Sequence, residues 1–298
     1  MKIGNWPATQ SLNKIYREIR ELGLESNLAE LEAFGFTVIE NVLSPEMVLK
    51  LRDATLRDYE RRYNIKMDLE NERGENLKDW KLAAFLLFKD PAFADVVLNQ
   101  KSLALVTYFL GRGCILTGLT SHMKGMGGKG RALHADITGA TPAPFSPYDV
   151  IVGCQYLLTD YNEEKGALAI VPGSHREARR PTPAESSLSG NDKNPNAIAI
   201  EAPAGSVVIF LGKTWHGSYP RSVPGLRVDL SAHYVRPYIA QLEDYKHNVP
   251  PGFVERHGGR NSRMAQLLGL NNWYGYGDEG IDNELFNLAE GFGRTWQG

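Results

Sequence analysis

The segment His134-Ala135-Asp136 places two common metal ligands at alternate positions of the chain. In an extended backbone, residues two apart point to the same side, so this imidazole and this carboxylate could reach one metal ion. His216 follows an apolar run and could be a third ligand, and two histidines with one carboxylate form the facial triad typical of non-haem Fe(II). Taken singly, His134 and Asp136 could lie in a surface loop, and His216, next to Trp215, could be a packed core histidine.

A further candidate is Arg227, which lies in the strand-like run 226–234. Alternation of polar and apolar residues gives this run one apolar face and one polar face, and the polar face carries Arg227, Asp229, Ser231 and His233. A buried guanidinium needs an anionic partner. Asp229 and the carboxylate of a ligand are both candidates for that partner.

The elements that must position these residues change in character along the chain. Apolar spacing predicts helices over 9–34, from Pro45 to about Arg62 with Ser44 as N-cap, and in two segments within 79–111. From Cys114 onward, short β-rich runs separated by turn residues predict strands at 114–124, 149–158, 167–171, 198–201, 206–211 and 226–236. Helices followed by many short strands favour a β-sandwich or barrel with a helical layer packed on it. The polar stretch 181–197 is interpreted as a mobile surface loop.

Composition narrows the class of protein. The chain has 298 residues, 42% hydrophobic and 23% charged, as in an average soluble globular protein. A net charge of −2 gives no basic excess, so we expect no nucleic acid partner. The chain has no long apolar run, and its two cysteines, Cys114 and Cys154, lie in apolar strands. We therefore expect buried free thiols, no membrane span and a cytoplasmic location.

Together these residues resemble the phytanoyl-CoA dioxygenase family of Fe(II)- and 2-oxoglutarate-dependent oxygenases, over roughly residues 28–237. The similarity is most specific at Gly166-Ala167-Leu168-Ala169-Ile170-Val171-Pro172-Gly173-Ser174-His175-Arg176, which matches the family's PGSH stretch. It also covers the entry segment 35–44, His134-Ala135-Asp136, His216-Gly217-Ser218 and Arg227.

The resemblance implies a role for each matching residue. His134, Asp136 and His216 would bind Fe(II), and Arg227 would pair with the distal carboxylate of the co-substrate 2-oxoglutarate. Ser218 would help to hold the same carboxylate, and Gln155 would line the cofactor site. His175 is interpreted as structural, and His122 as either a cavity residue or a core histidine. His233, His247 and His257 match nothing in the family and are expected to be structural or exposed.

The resemblance also implies a fold, an arrangement of the chain and a reaction. We expect one domain over 1–298, with a helical layer at 1–111, a double-stranded β-helix (jelly-roll, cupin-like) core at about 112–238, and a C-terminal tail at 239–298 packed on the core. The expected reaction uses O₂ and 2-oxoglutarate, releases succinate and CO₂, and oxidises a C–H bond. Hydroxylation is the default outcome, and desaturation, ring closure or endoperoxide formation would use the same centre. Asp136 argues against a halogenase, because halogenating relatives replace that carboxylate by a small residue. An acyl-CoA hydroxylase and a non-catalytic jelly-roll binding protein are the alternatives.

The substrate is expected to be a lipophilic or aromatic small molecule, and secondary metabolism is a candidate setting for the reaction. The basis is a group of aromatic residues in the loops and tail around the expected site, namely Phe145, Tyr148, Trp273 and Tyr274. The same aromatic residues could instead form the contact of a homodimer.

Overall fold

Helices dominate the first third of the chain in the computed structural model, which describes residues 7–68, 81–136, 141–271, 276–277 and 280–281. The helices there are α1 (Pro7–Glu21), α2 (Glu25–Phe34), α3 (Pro45–Tyr63), α4 (Ala92–Val97) and α5 (Gln100–Leu110). The helix predicted over 9–34 is in fact two helices, because the chain turns at Gly23 with a φ of +67°. Helix α3 begins as predicted, since the Ser44 hydroxyl accepts a hydrogen bond of 3.2 Å from the Met47 N–H.

The strands form two antiparallel sheets, which confirms the predicted jelly-roll class. The strands are β1 (Phe36–Ile39), β2 (Lys81–Ala83), β3 (Ile115–Lys124), β4 (Arg131–His134), β5 (Ile151–Leu157), β6 (Leu168–Ile170), β7 (Ile198–Ala199), β8 (Val207–Leu211), β9 (His216–Ser218) and β10 (Arg227–Val235). Six of them form one sheet in the order β1-β8-β5-β10-β3-β2, and four form the other in the order β4-β9-β6-β7.

Short elements complete the described chain after β10. They are α6 (Phe253–Arg256), α7 (Arg263–Leu267), and the two-stranded pair of β11 (Tyr276–Gly277) and β12 (Gly280–Ile281). The sequence analysis missed three of the elements that precede them. Strand β2 lies where only helices were expected, and β4 and β9 are too short to give a visible alternation of polar and apolar residues.

The six-stranded sheet separates the main apolar core from the interior of the jelly roll. On β10, Val228, Leu230, Ala232 and Tyr234 belong to the core that also holds the buried faces of the helices. The intervening Arg227, Ser231 and His233 line a cavity on the opposite face. Side chains alternate between the two faces of a strand, so the predicted polar face of this run is confirmed.

Both cysteines are free and buried, as the sequence predicts. They lie on the core side of the large sheet with the helices. Within the part of the chain that the structure describes, no helix is both long enough and apolar enough to cross a bilayer.

The stretch 181–197 is more regular than a polar surface loop. It contains two short 3₁₀ helices, at Pro183–Glu185 and Gly190–Asp192, and Thr182 and Glu185 form a capping box around the first. The Leu133 N–H donates to the Ser186 carbonyl at 2.9 Å, which joins the stretch to β4. Capping and this backbone contact supply an order that composition alone does not reveal.

Candidate metal centre and co-substrate cavity

A cavity of about 510 Å³ lies between the two sheets. Strands β3, β5, β8 and β10 of the larger sheet and β4, β6 and β9 of the smaller one contribute to its walls. The predicted site residues all line it: His134, Asp136, Gln155, His216, Ser218 and Arg227. Residues far apart in the sequence are thus brought together by the closure of one sheet over the other.

The structure brings His134, Asp136 and His216 together within this cavity, with one ligand atom of each lying within 4.8 Å of the others. His134 Nε2 lies 3.5 Å from Asp136 Oδ1, and His216 Nε2 lies 3.3 Å from Asp136 Oδ2. The two histidines are direct partners in the β4–β9 ladder. Gly217 permits this close pairing, because a Cβ there would lie 2.4 Å from the Arg131 carbonyl oxygen.

Backbone carbonyls fix the orientation of both imidazoles. His134 Nδ1 lies 2.9 Å from the Ala132 carbonyl oxygen, and His216 Nδ1 lies 2.9 Å from the Thr214 carbonyl oxygen. A carbonyl can only accept, so each Nδ1 carries the proton and each Nε2 presents a lone pair. Nε2 of His134 is buried and has no hydrogen-bond partner among the described residues. This donor set therefore fits a divalent metal ion.

The charge states also suit a metal. Burial would raise the pKa of Asp136, but His216 and His134 outweigh burial and lower this pKa well below its ordinary value. Burial lowers the pKa of His134, and this effect prevails over the attraction of the nearby Asp136 carboxylate. An ionised carboxylate beside a neutral imidazole is the state in which these side chains bind metals.

Arg227 is buried and has an internal anionic partner as well as a position on the cavity wall. Its Nη2 donates to Asp229 Oδ2 at 3.0 Å, and its Nη1 donates to the Gly166 carbonyl at 3.0 Å. Its Nε has no acceptor among the described residues. Asp229 and the carboxylate of a ligand are therefore both compatible with the geometry, because Asp229 accepts from only one of the three guanidinium nitrogens.

Asp229 organises the polar side of the cavity although it is fully buried. Besides Arg227, its carboxylate accepts hydrogen bonds from Gln155 Nε2 at 2.6 Å and Tyr161 Oη at 3.0 Å. Burial would raise the pKa of Asp229, but Arg227 and then His122 outweigh it and lower the pKa far below the ordinary range. The carboxylate is therefore a fixed negative charge that holds Gln155 and Arg227 in place.

Ser218 and Gln155 differ in their relation to the cavity. The Ser218 hydroxyl accepts from Lys124 Nζ at 3.0 Å and from the Arg131 N–H at 3.2 Å, so its own proton is left to donate. The Gln155 amide is directed at Asp229 and Tyr161, which makes it a support for the polar network as well as a wall residue.

His233 lies in the site, and the sequence analysis missed it. Its Nε2 is 3.3 Å from Asp136 Oδ2, the same oxygen that faces His216. The signal that could have found it was its position on the polar face of β10, the face that also carries Arg227 and Asp229. No match with a family motif would have revealed it.

The structure also shows where the histidines His122 and His175 lie relative to the cavity. His122 lines the cavity, and its backbone N–H donates to Asp229 Oδ1 at 2.9 Å, so it supports the polar network. His175 is buried in a short 3₁₀ helix and lines a different cavity beside Lys213, so it lies outside the candidate metal site.

The aromatic residues expected to shape the substrate site are placed elsewhere or are not described. Phe145 is buried in a separate apolar cluster and lines the cavity of His175, and the Arg180 guanidinium lies 5.2 Å from the centroid of its ring. Tyr148 is 67% exposed. Trp273 and Tyr274 lie outside the described residues.

Comparison with curated proteins gives relatives of modest identity. The chain is 24% identical to the protein Mb1539 of Mycobacterium bovis over 82% of this chain and 85% of that protein. It is 26% identical to the ectoine dioxygenase of Stutzerimonas stutzeri over 72% of this chain and 78% of that enzyme.

Comparison with solved structures agrees with the fold. HygX from Streptomyces hygroscopicus, with nickel and 2-oxoglutarate bound, superposes with a TM-score of 0.59 at 18% identity, over 73% of this chain and 88% of that one. The phytanoyl-CoA dioxygenase family model matches residues 31–227, close to the range in which the resemblance was found. The expected enzyme class, an iron- and 2-oxoglutarate-dependent oxygenase, is thereby confirmed. The chain belongs to the phytanoyl-CoA dioxygenase family.

Proposed function

We propose that this enzyme hydroxylates an unactivated C–H bond of a lipophilic small molecule, with release of succinate and CO₂. One observation carries the proposal, namely that a facial triad of donors lies in the same cavity as a buried arginine. The triad suits iron, and the arginine suits the far end of a dicarboxylate co-substrate.

His134, Asp136 and His216 hold the metal in this proposal. The Nε2 atoms of the histidines and the carboxylate of Asp136 are the donors, and the Ala132 and Thr214 carbonyls keep the imidazoles oriented. Bound Fe(II) supplies the activation of O₂ that couples decarboxylation of 2-oxoglutarate to oxidation of the substrate. The protein contributes the fixed donors and the cavity in which they meet.

Arg227 and Ser218 bind the distal carboxylate of 2-oxoglutarate in this proposal. The Nε–H of Arg227 lacks an acceptor among the described residues, and the Ser218 hydroxyl has a proton to donate. Gln155 acts through Asp229, which it holds in place to support Arg227. A charged hydrogen bond of this kind contributes about 1.5–3 kcal/mol.

Apolar side chains on the cavity wall support a lipophilic substrate. Leu82 is 39% exposed and Leu242 is 84% exposed, and both line the cavity together with Ile239 and Ala240. Exposed leucines at the edge of a cavity suit an apolar molecule that enters from solvent. HygX has been crystallised with hygromycin B, and other relatives are named ectoine dioxygenases, which supports a small molecule as the substrate.

We further infer that the chain acts as one catalytic domain in the cytoplasm. Buried residues from α1 through α7 and from the large sheet share one apolar core, which supports a single folding unit. Two buried free thiols suit a reducing compartment. A net charge of −2 supports a partner other than nucleic acid.

Succinate formation under defined conditions tests the proposal. Anaerobic protein is loaded with Fe(II) and 2-oxoglutarate, mixed with members of a panel of lipophilic compounds and acyl-CoA thioesters, and exposed to O₂. We expect succinate that requires both iron and 2-oxoglutarate, and a product that has gained one oxygen atom. His216→Ala is the matched inactive control. Succinate formation that persists without iron would contradict the proposal, as would its absence with every compound of the panel.

A further inference from the structure

Lys124 is a buried amine inside the cavity for which neither the sequence motifs nor the proposed reaction has a role. It is the last residue of β3, is 1% exposed and lines the cavity. It is also the direct cross-strand partner of Arg227 in the β3–β10 ladder. A buried ammonium group is costly unless an anion or several acceptors compensate it.

The acceptors that Lys124 finds within the protein are neutral. Its Nζ donates to the Ser218 hydroxyl at 3.0 Å and to the Tyr219 carbonyl at 2.7 Å. When an anion in the cavity favours the protonated form, the ammonium group has three donors, so these two contacts leave one N–H for that anion. Ser218 is thus the common neighbour of Lys124 and of the space that the co-substrate would fill.

The charged groups around Lys124 do not include an anion that pairs with it among the described residues. Asp229 is the negative group that acts on this region, and its carboxylate already accepts from Arg227, Gln155 and Tyr161. Lys124 therefore faces a positive Arg227 across the ladder without a carboxylate of its own among the described residues. Burial, followed by repulsion from Arg227, lowers the pKa of Lys124 to about 6.

We propose that Lys124 binds the distal carboxylate of 2-oxoglutarate together with Arg227 and Ser218. The inference rests on the proposed function, because it assigns a second cation to the same co-substrate site. The bound carboxylate supplies the missing negative charge and accepts the third N–H of Lys124. The pair of cations then selects 2-oxo acids that carry a second carboxylate.

A binding comparison between two 2-oxo acids tests this role. Affinities for 2-oxoglutarate and for 2-oxobutyrate, which lacks the distal carboxylate, are measured on protein loaded with Ni(II), so that no turnover occurs. Lys124→Met keeps the side-chain length and removes the charge. We expect it to weaken 2-oxoglutarate binding by about 10- to 150-fold and to leave 2-oxobutyrate binding unchanged. Lys124→Arg should restore part of the lost affinity.

Lys129→Met is the matched control, because Lys129 is an exposed lysine in the loop between β3 and β4. It should bind both acids as the wild type does. An equal loss for both acids in Lys124→Met would overturn the inference in favour of a structural role, and so would no loss for either. If the wild type with Ni(II) fails to bind 2-oxoglutarate, the proposed function itself is wrong.

Discussion

His134 and His216 are directly opposite one another in the β4–β9 ladder, with ring centroids 4.3 Å apart. Opposed residues of an antiparallel pair project to the same face of the sheet, so both imidazoles enter the cavity from one wall. Asp136, just beyond the end of β4, places its carboxylate beside both rings. A single two-stranded ladder therefore organises all three candidate ligands.

The ligand assignment predicts a metal stoichiometry. Purified wild-type protein should bind one Fe(II) per chain. His216→Ala should lose both the metal and turnover while it keeps its circular dichroism spectrum, because the ring lines the cavity and lies outside the main apolar core. Exposed His247 provides the control, since His247→Ala should keep full metal content. A fully active His216→Ala variant would contradict the assignment.

The role of Arg227 predicts a change in co-substrate affinity. Arg227→Leu should raise the KM for 2-oxoglutarate by about 10- to 150-fold, which corresponds to one lost charged hydrogen bond. It should also lower the melting temperature, because the buried charge of Asp229 loses its arginine partner. Steady-state kinetics and thermal unfolding measure the two effects separately. An unchanged KM would shift the role to Lys124 or Arg131.

The contact between His233 and Asp136 predicts an effect on the metal without direct ligation. His233→Ala should weaken metal binding by about 10- to 100-fold, the range observed when a hydrogen-bond partner of a ligand is removed. Equilibrium dialysis against Ni(II) reports this affinity independently of activity. His257→Ala, far from the cavity lining, should bind Ni(II) as the wild type does. Equal Ni(II) affinities in the two variants would show that Asp136 needs no support from His233.

The buried position of Lys124 predicts a pH dependence of stability. Arg227 and Asp229 on β10 and Arg221 after β9 act on Lys124, and Arg131 lines the same cavity. With the pKa lowered from 10.5 to about 6, the unfolded chain binds a proton in this window that the folded chain does not. The free energy of unfolding of the wild type should therefore rise with pH relative to Lys124→Met, between about pH 6 and the ordinary lysine value.

Thermal unfolding without co-substrate, at several pH values within this window, measures that difference. Lys129→Met should differ from the wild type by a constant amount, because its ammonium group is exposed in the folded protein. A pH-independent difference between the wild type and Lys124→Met would show that Lys124 keeps its proton in the folded state.

The sequence by itself determined the enzyme family, the order of helices before strands, and the candidate ligands His134, Asp136 and His216. Local patterns carry this information, because capping at Ser44, alternation along β10 and short motifs around functional residues are all properties of neighbours in the chain. The same local reasoning missed β4 and β9, whose few residues become strands only by pairing with neighbours in the sheet.

Tertiary structure alone decided the environment of the site. Lys124 lies in no motif, and the sequence placed Asp229 and His233 only on the polar face of one strand. Each of the three residues acquires contacts with residues outside its own strand. Closure of the two sheets removes these groups from water and brings their charges within a few ångströms of one another. Electrostatic interactions strengthen as the surroundings become less polar, so partners that are distant in the chain fix the protonation and orientation of each group.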